Sequence, residues 1–129
     1  MAKLPKALIL LTGALLLAAC RGDKDPAARV VEEYMQAIVE EDPATAVNLS
    51  CAAWESGARA EAASFASVRV ELPEIACSVA EELSETERRV TCQGSIKASY
   101  GAVDQEIPLE GRTFHVVLEG GEWRVCGYR

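Results

Sequence analysis

After the N-terminal segment, apolar residues recur every three or four positions, which is the spacing of helices with one buried face. Asp25-Pro26 places an N-cap acid before a proline at the first helical position. The same pair recurs at Asp42-Pro43, so the first helix ends before it and a second, short helix begins there. Residues 51–65 are alanine-rich and predict a third helix, in which Gly57 is a weak point.

In the second half of the chain apolar and polar residues alternate, which is typical of β-strands. Pro73-Glu74 interrupts the first alternating run and predicts an edge strand with a bulge. Polar turns follow, one of them centred on Ser84-Glu85, and Gly120-Gly121 suits a two-residue hairpin. The sequence therefore predicts an α+β domain in which three N-terminal helices pack on a curved four-stranded antiparallel meander. The predicted strands cover residues 68–79, 90–100, 106–119 and 122–129.

The first 20 residues have a third pattern. Lys3 and Lys6 precede an apolar run of 13 residues, which is shorter than the ~20 residues that a membrane-spanning helix needs. This pattern is typical of a secretory signal. The run ends in Leu17-Ala18-Ala19-Cys20, which resembles the lipobox of bacterial lipoproteins. That resemblance implies cleavage before Cys20 and acylation of its sulfur with palmitate-type chains.

We therefore expect a signal peptide at residues 1–19, a lipidated cysteine and short tether at residues 20–24, and a single cone-like domain at residues 25–129. Acylated Cys20 would hold the protein to the outside of a bacterial membrane. An outer membrane is favoured where the cell has one, because Arg21 replaces the aspartate associated with inner-membrane retention. An ordinary secretory signal, cut after an Ala-x-Ala-like site, is the alternative.

Charge narrows the range of partners. The leader carries two lysines and no acid, so its removal changes the net charge of the chain from −7 to −9. An acidic surface repels nucleic acid, and the basic residues are scattered along the chain. We expect no nucleic-acid partner.

Four cysteines follow the lipobox: Cys51, Cys77, Cys92 and Cys126. An even number in an exported chain favours two disulfides, with one disulfide or free buried thiols as alternatives. Their spacing contains no Cys-x-x-Cys and the chain has one histidine, so no metal site or cofactor is expected.

The predicted turns suggest which cysteines pair. A turn centred on Ser84-Glu85 places Cys77 opposite Cys92, within disulfide range. In a simple meander Cys126 lies two strands from Cys92, roughly 9.5 Å away, so Cys51 is left as its partner. A tight turn before the last strand directs Cys126 outward, however, so this scheme requires a bulge or a different connectivity.

The order of elements resembles the nuclear-transport-factor-like (cystatin-like) cone, a fold shared with ketosteroid isomerase and scytalone dehydratase. The resemblance rests on the helix at residues 30–38, on Asp42-Pro43-Ala44, and on Gly120-Gly121-Glu122-Trp123-Arg124-Val125. It implies a lipoprotein domain of no known activity. Enzymes of this fold use a buried acid or an Asp-His pair, whereas the inward-parity strand positions here are apolar. No catalytic residue is carried over.

We therefore expect a non-catalytic, lipid-anchored binding or protein-interaction module of the cell envelope, with an envelope protein as partner. His115 is the only side chain that titrates near neutrality, and a structural role is expected for it. Apolar-ligand binding in the cone is one alternative, and a small enzyme of the ketosteroid-isomerase type is another. Five aromatic residues are candidates to line a pocket in the cone: Trp54, Phe65, Tyr100, Phe114 and Trp123.

Overall fold

The computed structural model describes residues 24–129. The proposed signal peptide and Cys20 lie outside the described residues. Three α-helices come first in the described chain: α1 (Pro26–Val39), α2 (Pro43–Asn48) and α3 (Glu55–Ala63), the last preceded by a 3-10 turn (Ala52–Trp54). Six strands follow: β1 (Arg69–Glu71), β2 (Ile75–Ser84), β3 (Glu87–Tyr100), β4 (Val103–Pro108), β5 (Thr113–Glu119) and β6 (Glu122–Tyr128).

The predicted helix starts are confirmed. Asp25 accepts a hydrogen bond from the backbone N–H of Ala27 at 2.8 Å. Asp42 accepts from the backbone N–H of Thr45 at 3.1 Å and from its hydroxyl at 2.6 Å. These bonds from Thr45 stabilise the carboxylate and hold the pKa of Asp42 below its ordinary value. None of the helices formed by residues 24–129 combines the length and hydrophobicity that a membrane-spanning helix needs.

The third helix begins later than predicted, since residues 52–54 form a 3-10 turn before α3. Gly57 has a packing role there, because a Cβ at this position would lie 2.8 Å from ring atoms of Trp54. Trp54 packs on Gly127 as well, where a Cβ would lie 3.3 Å from the indole. The indole thus lies between two glycines whose missing side chains leave room for it.

The sheet is built around β3, and every pairing within it is antiparallel. β1 and β2 follow one another along one edge of β3, and β4 and β5 follow one another along the other edge. β6 then pairs with β5. The α+β architecture is as predicted, but the four-stranded count is wrong, because residues 24–129 form a six-stranded sheet.

The two extra strands arise because two of the predicted strands, residues 68–79 and 106–119, are each interrupted where they lie beside Gly94 of β3. Its φ of +124° is a conformation that side chains disfavour, and a Cβ would lie 2.4 Å from the carbonyl oxygen of Glu74. On the opposite edge the N–H of Leu109 donates to the carbonyl of Gly94 at 2.9 Å. The sheet is therefore divided into a disulfide half (β2, residues 87–93 of β3, β5 and β6) and a hairpin half (β1, residues 95–100 of β3, and β4).

The core lies between α1 and the inward-parity positions of the strands. α1 contributes Val31, Tyr34, Met35 and Ile38, each with no exposed surface. The predicted inward positions of the strands are confirmed for five side chains that are likewise fully buried: Val90, Ile96, Phe114, Val116 and Val125. A sixth, Trp123, is half-buried.

Cys77 and Cys92 form a disulfide, as predicted from their register. Their hairpin does not turn at Ser84-Glu85, however, because Ser84 pairs with Glu87. Two register shifts in β2 move the tip of the hairpin while leaving the cysteines opposite one another.

Cys51 and Cys126 form the second disulfide within residues 24–129. The bulge that this pairing requires is present, since the β5–β6 register shifts between Phe114 and Val116, and Gly127 has a φ of +104°. The free edge of β6 is also covered at this point. The N–H of Cys51 donates to the carbonyl of Val125, and the N–H of Val125 donates to the carbonyl of Leu49.

Candidate functional site

The five aromatic residues predicted to line a pocket lie in different surroundings. Phe114 is fully buried and Phe65 is nearly so, which places both in the core. Trp123 is half-buried at the tip of the β5–β6 hairpin, whereas Tyr100 is 45% exposed beside the β3–β4 turn. Trp54 lines a surface groove. The structure therefore does not gather the five side chains around one cavity among the described residues.

A different cluster, the Glu61 network, joins α1, α3 and the ends of β5 and β6 through Tyr34, Trp54, Glu61, Arg112 and Tyr128. The hydroxyl of Tyr34 donates to Oε2 of Glu61 at 2.6 Å and accepts from the indole N–H of Trp54 at 3.0 Å. Arg112 donates to Oε1 of Glu61 at 3.0 Å, and its guanidinium lies 4.5 Å from the centroid of the Tyr128 ring. The ring of Tyr128 contacts Trp54 edge-to-face, with 6.1 Å between the ring centroids, and this contact completes the cluster.

The surroundings of the two phenols favour their protonated forms. Burial is the main cause that raises the pKa of Tyr34 far above its ordinary value, and the adjacent Glu61 carboxylate raises it further. Burial also raises the pKa of Tyr128, again helped by the charge of Glu61, while Arg112 acts in the opposite direction. Tyr34 therefore stays a hydrogen-bond donor at neutral pH.

Neither Glu61 nor Arg112 was predicted as a functional residue from the sequence. A signal was present, because Glu61 lies three residues after Ala58 and four before Phe65, within the apolar stripe of α3. The Glu61 side chain is only 11% exposed. Both carboxylate oxygens of Glu61 accept a hydrogen bond, one from a phenol and one from a guanidinium. The carboxylate therefore orients these groups, and both of its oxygens are already engaged, so neither serves as a general base.

Beside this network a groove, the His115 groove, runs from the outer face of β3 and β5 to the C-terminal end of β6. Its volume is ≈ 460 Å³. Trp54 and Tyr128 form an aromatic wall, which the Glu61 network holds in place. The groove is lined by Trp54, Leu83, Glu87, Arg89, Thr113, His115, Cys126, Gly127, Tyr128 and Arg129.

The rim of the groove carries paired polar and charged side chains. His115 lies opposite Arg89 across the β3–β5 ladder, and its Nε2 is 3.2 Å from a carboxylate oxygen of Glu87. Arg89 in turn donates to Glu81 at 3.0 Å. These side chains are between about one third and one half exposed, so the Arg89–Glu81 ion pair contributes little to stability, and both contacts can exchange for contacts with a ligand or partner.

Within residues 24–129 no three His, Cys, Asp or Glu side chains are grouped so that they could hold a metal ion. No protein-family model matches the chain. A search of curated proteins likewise finds no match.

Proposed function

We propose that the chain is an exported lipoprotein, anchored in a bacterial cell envelope by acylated Cys20, whose domain binds a protein partner without catalysis. The two disulfides of residues 24–129 support an extracytoplasmic location, because such bonds persist in oxidising compartments. The succession of helices and an antiparallel sheet supports a nuclear-transport-factor-like cone.

The observation that carries the binding proposal is the contrast between the two faces of the sheet. Its helix-facing side is filled by side chains with no exposed surface, among them Tyr34, Ile96 and Phe114. A ligand inside the cone would have to displace them, at a cost of several kcal/mol. The His115 groove lies open on the other face. Its fixed aromatic wall offers a partner large contact area at low entropic cost.

The absence of catalysis is supported by the state of the acids and of the histidine. Glu61 would have to give up Tyr34 or Arg112 to accept a proton from a substrate. His115 hydrogen-bonds Glu87, and within the described part of the chain no serine, threonine or cysteine side chain hydrogen-bonds the imidazole. A nucleophile needs its base within such reach.

Charge reversal on the rim of the groove tests the binding proposal. Intact cells that express wild type, Arg89→Glu or the control Arg69→Glu are cross-linked, and the cross-linked species of the three proteins are compared. Arg69 is exposed on β1, away from the groove. We expect a defined partner adduct with wild type and Arg69→Glu that is strongly reduced with Arg89→Glu, at equal thermal stability. An adduct of equal yield in all three would contradict binding through this groove.

A second variant tests the absence of catalysis. His115→Gln keeps a hydrogen-bonding side chain of similar size at the rim but removes the imidazole. We expect the partner adduct and the cellular phenotype to be retained. Loss of the phenotype in a folded, correctly localised His115→Gln protein that still forms the adduct would overturn the non-catalytic proposal.

A further inference from the structure

The first described residues lie at one end of the domain, beside two hairpin tips. Nη1 of Arg88 donates to both carboxylate oxygens of Asp25, at 2.7 and 2.6 Å. The guanidinium of Arg88 also lies 4.5 Å from the centroid of the Trp123 ring. Trp123 belongs to the β5–β6 hairpin, whose tip adjoins that of the β2–β3 hairpin through a bond from Leu118 N–H to the carbonyl of Thr86.

Exposed apolar side chains are gathered at this end. Leu83 is 38% exposed, Leu118 is 36% exposed, and Trp123, which pairs with Leu118, is half-buried against the guanidinium of Arg88. We call this surface, with Lys24, the anchor-proximal end. The far end of β3 carries a second exposed apolar pair, Tyr100 and Val103, at the β3–β4 turn.

The chain outside the described residues limits how far this end can lie from a membrane. Lys24 is the fourth residue after Cys20, and a fully extended chain advances at most ~3.6 Å per residue. With Cys20 acylated, as proposed above, Lys24 lies within about 14 Å of the headgroup layer. Because Asp25 pairs with Arg88, the β2–β3 hairpin tip and the β5–β6 tip bonded to it lie at the same end of the domain as Lys24.

The other surfaces near the anchor do not suit a membrane. The exposed face of α1 is polar, with Arg29, Glu33, Gln36 and Glu40.

Acids surround the hairpin tips of the anchor-proximal end, including Glu82, Glu85, Glu119 and Glu122, so an anionic headgroup layer would repel this end. Leucine and tryptophan side chains, by contrast, partition into the interface of a bilayer.

We propose that the anchor-proximal end rests on a zwitterionic headgroup layer, with Leu83, Leu118 and Trp123 in the interface, so that the protein stands end-on with the Tyr100–Val103 turn farthest from the bilayer. This inference rests on the lipidation proposed for Cys20. It identifies the bilayer as a partner of the folded domain in addition to the acyl chains.

The two tryptophans make the orientation measurable. Trp123 lies at the hairpin tip, whereas Trp54 contacts Tyr128, which pairs with Phe114 farther along the sheet. Trp54→Phe and Trp123→Phe variants of the protein purified from cell membranes each leave one fluorophore. They are reconstituted in phosphatidylcholine vesicles containing brominated chains. We expect Trp123 to lose a larger fraction of its fluorescence than Trp54, and a phosphatidylglycerol admixture to reduce this loss at low salt.

Apolar-to-polar substitutions supply matched controls. In the Trp54→Phe background, Leu83→Gln and Leu118→Gln are expected to reduce the quenching of Trp123, whereas Val103→Gln, at the far end, leaves it unchanged. Protein that floats with the vesicles but shows equal quenching at both tryptophans overturns the orientation and leaves the anchoring intact. Protein that carries no acyl chain and does not float overturns the anchoring proposal, and the orientation with it.

Discussion

In the disulfide half of the sheet β3 lies between the ten-residue β2 and the seven-residue β5, whereas in the hairpin half it lies between the three-residue β1 and the six-residue β4. The disulfide half contains the Cys77–Cys92 disulfide and also Cys126, which joins β6 to Cys51. It also adjoins the Glu61 network and the anchor-proximal end. The hairpin half has neither disulfide, and its turn exposes Tyr100 and Val103.

This difference indicates where the proposed function resides. The Cys51–Cys126 disulfide and the Glu61 network adjoin the His115 groove, which suits a binding surface that must be rigid before its partner arrives. The hairpin half has fewer such restraints, and so we expect its backbone amides to exchange with solvent at lower opening free energies.

Removal of the disulfides has the largest expected effect. Cys51–Cys126 closes a loop with a sequence separation of 75, and Cys77–Cys92 one with a separation of 15. Loop-closure entropy predicts losses of about 4 and about 3 kcal/mol in the free energy of unfolding for the respective double alanine variants. Urea denaturation checks both. A smaller loss for the longer loop would contradict an entropic origin of the stabilisation.

Gly94→Ala tests the boundary between the halves. An alanine Cβ would meet the Glu74 carbonyl at 2.4 Å in a strained backbone conformation, so we expect a loss of about 3 kcal/mol in the free energy of unfolding. Gly101→Ala is the control, because Gly101 also has a positive φ but no heavy atom lies within 4 Å of its Cβ position. There the loss should be about 1 kcal/mol. Equal losses would show that close approach at Gly94 is unimportant.

Tyr34→Phe tests the buried network. The substitution leaves Oε2 of Glu61 and the indole N–H of Trp54 without their partner, which we expect to cost about 2 kcal/mol of unfolding free energy. Tyr100→Phe, in the hairpin half, removes an exposed hydroxyl and should change it by less than about 0.5 kcal/mol. Thermal and urea unfolding of both variants measure these losses. Equal stability of the two variants would show that the hydrogen bonds of Tyr34 are dispensable for the fold.

Alkaline pH gives the smallest effect. The pKa of Tyr34 is raised in the folded state, so the contribution of this group to the free energy of unfolding is fully present below pH ~10. It is lost as the pH rises further, because the unfolded chain then releases a proton that the folded chain keeps. The free energy of unfolding should fall by about 1.4 kcal/mol per pH unit for this group. Urea midpoints at pH 8, 10 and 11 should therefore fall more steeply for wild type than for Tyr34→Phe. Parallel profiles would contradict this assignment.

Local patterns predicted part of the fold. The Asp-Pro pairs marked both helix starts because N-capping depends on neighbouring residues alone. Strand parity predicted the buried positions, and the pairing of Cys77 with Cys92 was predicted from a turn at Ser84-Glu85, although the hairpin turns elsewhere. The breaks opposite Gly94 were not predictable in this way. They depend on the backbones of Glu74, just before β2, and Leu109, just after β4, which approach Gly94, and a single stretch of sequence does not show such contacts.

The candidate site was harder to predict than the fold. Trp54 was singled out, but the role of Gly127 as its packing surface depends on a bulge between β5 and β6. Glu61 interrupts an apolar helix stripe and could have been flagged as a partly buried acid. Its partners could not have been found, because Tyr34 and Arg112 lie 27 residues before it and 51 residues after it in the chain.

The central claim is that this is an envelope domain anchored by a lipid on Cys20. Intact mass spectrometry of the protein from the membrane fraction, with and without reduction, tests it most directly. We expect a chain that starts at Cys20, carries the mass of two or three acyl chains, and gains the mass of four hydrogen atoms on reduction of its two disulfides. A chain with residues 1–19 still attached, or one that is cleaved but unacylated and soluble, would contradict it.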